Sequence, residues 1–348
     1  MQKSQYLVHL NFAKGYRGGE RQTQLLIEAL SQRGYVQTIV TREASQLAER
    51  LQGVKNLNII RCSKPYVLDI HKIKNATLIH AHETKAAQVA YFAHLIYKIP
   101  YFITRRVNNP ISDNFFNKNI YTKATCTVVL SKAIQHTTLK LHKNITTQII
   151  PSAYTKLELN QEKINTIKER FKDKFLIGHI GELENSDKGQ YYLIEAMKKL
   201  QSEYPEIHLI LIGKGKDEGK FREQSKELEN ITFEGFVNNV GDYISALQLF
   251  VFPSLNEGLG SILLDIIQAK VPIIASNVGG IPDIVQHNKN GLLFPPKNTQ
   301  AIYDKIIQLY NNQKLRQKFS AEAFKDINNY SYQTMTTKYE ELYRSINK

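Results

Sequence analysis

The sequence predicts an α/β protein of two domains, each a mostly parallel sheet covered on both faces by helices. Three observations carry the prediction. Short β-branched runs alternate with helical stretches along nearly the whole chain, as buried parallel sheets require. At 348 residues and 42% hydrophobic content, the chain holds more apolar material than one ordinary domain uses. Midway, the alternation is broken by a polar helical stretch from Leu157 to Lys174. The boundaries read 1–156, 157–328 and a helical tail, 329–348, which could lie across either domain.

QYLVHLNF (5–12) is the first strand, followed by the loop AKGYRGGE and a helix whose Leu25, Leu26, Ala29 and Leu30 keep a 3.6-residue period. The unit recurs as VQTIVT with a helix near 44–52, LNIIRC, ATLIHAH with KAAQVAYFAHLIY, PYFITRR, CTVVLS with a helix near 132–141, and TQIIPS. Beyond the linker, the expected strands are FLIGHIG, IHLILIGKG, NITFEGF, LQLFVFPS, VPIIASN and GLLFP. Helices are expected near 190–203, 217–227, 240–246, 260–269, 281–287 and 299–311. Open α/β sheets bind ligands at the carboxyl ends of their strands, so a cleft between the two domains is the expected site.

Composition excludes several classes. Two cysteines, Cys62 and Cys126, supply neither a disulfide framework nor a zinc set, which points to a reducing compartment. MQKSQYLVHLNF lacks a signal peptide's apolar core, and no stretch approaches eighteen apolar residues, so a cytoplasmic location is expected. Charge is uneven: residues 1–155 hold 21 Lys and Arg against 7 Asp and Glu, whereas the remainder holds 25 of each. The basic half would concentrate anionic partners such as acidic lipid or phosphorylated substrate. Nucleic acid is not expected, because no zinc-finger spacing, RNP-like strand or basic zipper is present.

Three segments carry chemistry. GELENSDKG (181–189) begins at Gly181 and precedes a helix expected near Gln190. Lys188 would there meet a phosphate alongside backbone N–H groups; the ordinary alternative is a lysine in a solvated turn. IGKGKDEG, with Gly213, is a second glycine-rich strand end, and neither segment is a P-loop or a GxGxxG fingerprint. PSLNEGLGSILLDIIQAKVP places Glu257 before a helix and Asp265 within it, about 12 Å along the axis. A nucleotide carrying a sugar is long enough to engage both acids, with Gly258, Leu259 and Gly260 offering N–H groups between them. Glu257 could instead be a helix cap, and Asp265, among Ile262, Leu263, Leu264, Ile266 and Ile267, would need partners if buried.

Taken with RGGERQ, the DKG loop, NVGGIPDIV and NGLLFPP, the pair Glu257 and Asp265 resembles the retaining nucleotide-sugar glycosyltransferases of GT-B architecture, family 4 of the usual classification. The resemblance runs from RGGERQ to the terminal helix and is strongest over 251–296. It implies two Rossmann-like domains facing a central cleft, the first on the acceptor side and the second binding the nucleotide sugar, with the last helix crossing back to the first. It also implies that Glu257 contacts hydroxyls of the transferred sugar, Asp265 the nucleotide ribose and Lys188 the diphosphate. Gly18 and Gly19 would form a loop near the leaving phosphates, and His82 of IHAHE would line the cleft. His80, two residues earlier, should face the same side.

Two departures stand out. The family usually has Glu where this chain has Asp265, and an Arg where Glu182 stands; Arg17, Arg21 and Lys214 are candidate replacements for that cation. The expected donor is a UDP- or GDP-sugar, with no permanently bound cofactor. No metal is expected, since no DxD pair occurs and the histidines are scattered. The family is held to attack from the same face, the departing phosphate taking the acceptor's proton, so His82 reads as a positioning or electrostatic group.

The acceptor should meet the basic half, where TRRVNNP puts Arg105 and Arg106 at a strand end. Phe115, Phe116 and Tyr121 follow among cations, suggesting a peripheral enzyme at an acidic membrane surface and an anionic glycan or glycolipid acceptor. TRRV resembles enzymes of lipopolysaccharide or surface-glycan synthesis. The competing readings are a sugar-nucleotide epimerase or hydrolase of the same fold, and a non-catalytic subunit that binds anionic glycans or membranes.

Overall fold

The computed structural model describes residues 6–347, so Gln5, expected to open the first strand, and Met1–Ser4 and Lys348 of the outer segments lie outside the described residues. The chain divides into two compact units, Met1–Ala153 with Asn329–Lys348, and Tyr154–Asn328.

In the first unit seven strands form one sheet: β1 (Tyr6–Asn11), β2 (Val36–Arg42), β3 (Leu57–Cys62), β4 (Leu78–Ala81), β5 (Tyr101–Arg105), β6 (Cys126–Val129) and β7 (Thr147–Ile149). The order is β3-β2-β1-β4-β5-β6-β7, with parallel pairing throughout. Helices start where side chains can satisfy the first free N–H groups. The Glu83 carboxylate accepts from Lys85 and Ala86 N–H to open Thr84–Tyr97, and Ser131 accepts from Ile134 to open Lys132–Leu139. Two elements escaped sequence reasoning: a 3₁₀ segment at Tyr66–Ile73, and the helix Phe115–Thr122, capped by Asn114.

Side chains alternate across the sheet. Val8, Leu10, Ile79, Ala81 and Ile103 pack on one face against Thr84–Tyr97. Leu7, Leu78 and Phe102 pack on the other with Leu26 and Leu30 of the helix Gly18–Gln32 and with Met335, Tyr339 and Tyr343 of the last helix, Tyr332–Arg344. The tail thus returns to the first unit. Arg33 fastens it there, donating to Thr337 Oγ1 at 3.1 Å, to the Gln333 carbonyl at 3.0 Å and to the Glu340 carboxylate.

The second unit holds β8 (Phe175–Ile180), β9 (Ile207–Ile212), β10 (Ile231–Gly235), β11 (Leu249–Phe252), β12 (Ile273–Ser276) and β13 (Leu292–Phe294), in the order β10-β9-β8-β11-β12-β13, again parallel. Its helices Gln190–Glu203, Ile262–Gln268 and Thr299–Tyr310 fall close to the expected positions. Both lobes are Rossmann-like, as GT-B architecture requires. In each, the strand order reverses once, at β1/β4 and at β8/β11, and in such sheets ligands collect at that switch point. No described helix is long and apolar enough to cross a membrane.

Candidate functional site

At the switch point of the second unit, two loops are pinned together. After β8 the chain runs through Gly181 into a four-residue helix, Asn185–Lys188, and Gly189 at φ +64° separates this from Gln190–Glu203. Lys188 therefore closes a short turn of helix instead of opening a long one, because the left-handed glycine breaks the run. After β11 the chain passes through Pro253 to Gly260. The Asp187 carbonyl accepts N–H from Leu255 at 2.7 Å and from Asn256 at 3.2 Å. A side chain on Gly189 would strike the Pro253 carbonyl.

This clasp brings Lys188 to Glu257. The ammonium donates to both carboxylate oxygens, at 2.9 and 3.1 Å, and both side chains are mostly buried. The glycines of NVGG hold Glu257 from behind: Gly280 N–H reaches the Glu257 carbonyl at 3.2 Å, and Gly279 has φ +53° against that same carbonyl. A cation and an acid so placed could meet a diphosphate and a sugar hydroxyl side by side.

The other expected donor residues are distributed around this pair. Gly213 closes against the Gly181 carbonyl, so its lack of a side chain permits the strand ends of β8 and β9 to touch. Gly258 and Gly260 lie in the turn before Ile262–Gln268, while the Leu259 side chain is buried. Asp265 is 5% exposed and accepts the Thr155 N–H at 2.7 Å, so part of its carboxylate already serves the chain. Glu182 and Lys214 are exposed.

Sequence reasoning missed two residues that support the loop. His179 Nδ1–H donates to the Val251 carbonyl at 3.0 Å, and Gln190 donates to His179 Nε2 at 3.3 Å and to the Glu182 carbonyl at 2.8 Å. Burial pushes His179 down to about 4. The signal was a histidine inside the apolar run FLIGHIG.

In the first unit a layer of polar side chains lies under Gly18–Gln32 and the last helix. Gly18 and Gly19 begin that helix and form no loop; a Cβ on Gly19 would lie 3.3 Å from Arg106 Cδ. His9, His80 and His82 are all buried, and their ligand-type nitrogens lie within 4.8 Å of one another. Each of the six ring nitrogens has a partner. His9 joins His82 at 2.9 Å and Gln37 at 3.0 Å; His80 joins Thr104 and Tyr343, both at 2.6 Å; His82 joins Arg106 at 3.4 Å. A metal ion would have to displace these partners. Burial lowers His9 to about 4 and holds His80 and His82 well below the usual range, with nearby imidazoles and Arg106 pushing the same way.

Arg105 and Arg106 do not act as a pair. Arg105 turns to the Asn109 carbonyl and, at 3.4 Å, to Tyr121 Oη. Arg106 donates to the His82 carbonyl at 2.9 Å and to Thr23 Oγ1 at 3.4 Å. Adjacent strand positions point to opposite faces. Of the suspected aromatics, Tyr121 is buried, Phe116 packs on Tyr91 and Phe92, and Phe115 is 83% exposed.

Comparison with known proteins bears on residues 160–326, which match the family described as glycosyl transferases group 1. The chain is 26% identical over 201 residues to the capsular polysaccharide biosynthesis glycosyltransferase CapM of Staphylococcus aureus, covering 56% of this chain and 53% of CapM. It is 30% identical over 156 residues to the putative glycosyltransferase EpsD of Bacillus subtilis, covering 44% and 41%. The matched stretch spans about half the length of these relatives. Among solved structures, Anabaena Alr3699/HepE in complex with UDP and glucose aligns over 98% of this chain and 100% of its own, at TM-score 0.85 and 17% identity. A glycosyltransferase from Rickettsia africae aligns over 99% of both chains, at TM-score 0.86 and 20% identity. At these identities the likeness is one of fold.

Proposed function

We propose, from the match of residues 160–326 to the family of glycosyl transferases group 1 and from the two Rossmann-like units of GT-B type, that this chain is a retaining glycosyltransferase. It moves a sugar from a nucleoside-diphosphate sugar, a UDP- or GDP-sugar, to a glycan or glycolipid. The observation that carries this reading is the Lys188–Glu257 pair at the β8/β11 switch point.

As the bond from the sugar's anomeric carbon to the diphosphate breaks, negative charge builds on the departing phosphate. Lys188 and the N–H groups of Leu259 and Gly260 stabilise it. Glu257 holds sugar hydroxyls and lies near the cationic charge developing on the ring. Asp265 orients the ribose through its carboxylate. The acceptor oxygen bonds to the anomeric carbon from the same face, and its proton passes to the leaving phosphate. These residues require no metal for that sequence.

Arg106 on the first unit meets the acceptor, an anionic glycan or glycolipid of a bacterial surface polysaccharide. Exposed Phe115, Leu95 and Ile96 lie on the basic half, which supports peripheral contact with an acidic membrane from the cytoplasmic side. The test is calorimetric titration with UDP and GDP followed by a mass-spectrometric screen of their sugars. Saturable binding and release of the free nucleotide are expected, and no binding to either would overturn the reading.

A further inference from the structure

The hydrogen bonds from Gln37 to Arg106 admit only one arrangement of protons. Gln37 faces the Ile27 carbonyl at 3.0 Å, and a carbonyl only accepts, so the group there is the amide nitrogen and Oε1 faces His9. His9 Nε2, 3.0 Å from that oxygen, must then carry the proton. A neutral His9 leaves Nδ1 bare, and Nδ1 lies 2.9 Å from His82 Nε2, so His82 Nε2 is the donor. His82 Nδ1 is bare in turn. It faces Arg106 Nη2 at 3.4 Å, a group that only donates.

Starting from the arginine gives the same answer. The arginine end is the looser of the two, since its 3.4 Å contact is shared with Thr23 Oγ1, so the amide end, at 3.0 Å, is the one that fixes both imidazoles. Positive charge on either ring would set two N–H groups against each other, and full burial of both rings disfavours it as well.

We propose that Gln37 is a positioning residue which sets, through His9, the tautomer of His82 and so turns the His82 Nδ1 lone pair onto Arg106. His82 then grips the guanidinium at two points, by Nδ1 and by its own carbonyl at 2.9 Å, and is no base for an incoming hydroxyl. The inference depends on the proposed function only for what Arg106 binds.

The experiment is long-range proton–nitrogen NMR on protein with ¹⁵N-labelled histidine rings, assigned with His9→Asn and His82→Asn. Neutral Nε2–H rings are expected at both positions in the native chain. Gln37→Met keeps the length but removes the acceptor, and should populate the Nδ1–H form of His9 and His82. Gln37→Glu should restore the native pattern, since a protonated carboxyl both accepts from His9 and donates to Ile27. Gln37→Asn, one methylene short, serves if the methionine protein does not fold. An Nδ1–H or charged His82 in the native chain, or an unchanged spectrum in the Met or Asn variant, overturns the proposal. No sugar nucleotide enters these measurements, so failure of the proposed transfer would leave them standing.

Discussion

Replacing Gly279 with alanine should disable the donor site without unfolding its unit. The added Cβ would lie 1.9 Å from the Glu257 carbonyl oxygen and 2.9 Å from its carbon, whereas real contacts stay beyond 3.0 Å. Either Glu257 or the turn at Gly279 must therefore move by roughly 1 Å, the scale of misplacement that can cost about 10²-fold in rate. Alanine at φ +53° adds about 1–2 kcal/mol of backbone strain, and overpacking about 1–3 kcal/mol more. The sum, about 2–5 kcal/mol, is within the range a domain survives and should lower its melting point by roughly 4–20 °C. The assays are thermal unfolding and release of nucleotide from the sugar donor. Gly219→Ala is the control: that glycine lies in the helix Glu218–Gln224 with nothing within 4 Å, so alanine should stabilise by about 0.5–1 kcal/mol. Full turnover in the Gly279→Ala protein would refute the argument that this glycine seats Glu257.

Four further outcomes are expected. Lys188→Ala should reduce turnover about 10²–10³-fold, the scale of one lost charge-stabilising donor, measured by steady-state kinetics. Asp265→Ala should cost about 1–3 kcal/mol of stability in denaturant unfolding, apart from any donor affinity, because the half-buried Thr155 N–H loses its charged acceptor. His9, His179 and His208 are each held neutral, down to about 4. The unfolded chain therefore takes up protons first on acidification, and stability should fall between pH 6.5 and 4, by up to about 1.4 kcal/mol per pH unit per fully buried ring. His208 is less enclosed and should contribute less. Below pH 4 these groups add no further loss, and calorimetry across pH 7 to 4 tests the sign. Phe115→Ser should weaken sedimentation with phosphatidylglycerol vesicles by roughly tenfold or more, from the apolar surface removed, and unchanged sedimentation would dismiss that membrane contact.

The strands were legible because their buried runs are short, β-branched and separated by helical periods. IHLILI and LFVF sit within the segments that periodicity marks. The helix Phe115–Thr122 was not, since FFNKNIYT mixes aromatic and polar residues without a clean apolar stripe, and its start rests on the Asn114 side chain. Lys188, Glu257 and the glycines could be named from their spacing, but not the clasp that joins them. That contact depends on backbone carbonyls of Asp187 and Glu257, and carbonyls leave no trace in residue identity. The polar layer of the first unit did leave one: His9, Asn11, His80, His82, Thr104 and Arg106 alternate along neighbouring strands. Each strand taken alone hides this, because only the parallel register sets the side chains next to one another.

The return of Tyr332–Arg344 to the first unit bears on how the protein is made. Until the ribosome has passed residues 154–328, Leu78 and Phe102 lack the part of their cover that Met335, Tyr339 and Tyr343 supply, and both nitrogens of His80 lack Tyr343 or a Thr104 steadied by Tyr339. At about 5–20 residues per second that interval is on the order of ten to forty seconds. The half of the chain synthesised first is completed last, and its bare apolar face is what a nascent-chain chaperone would meet.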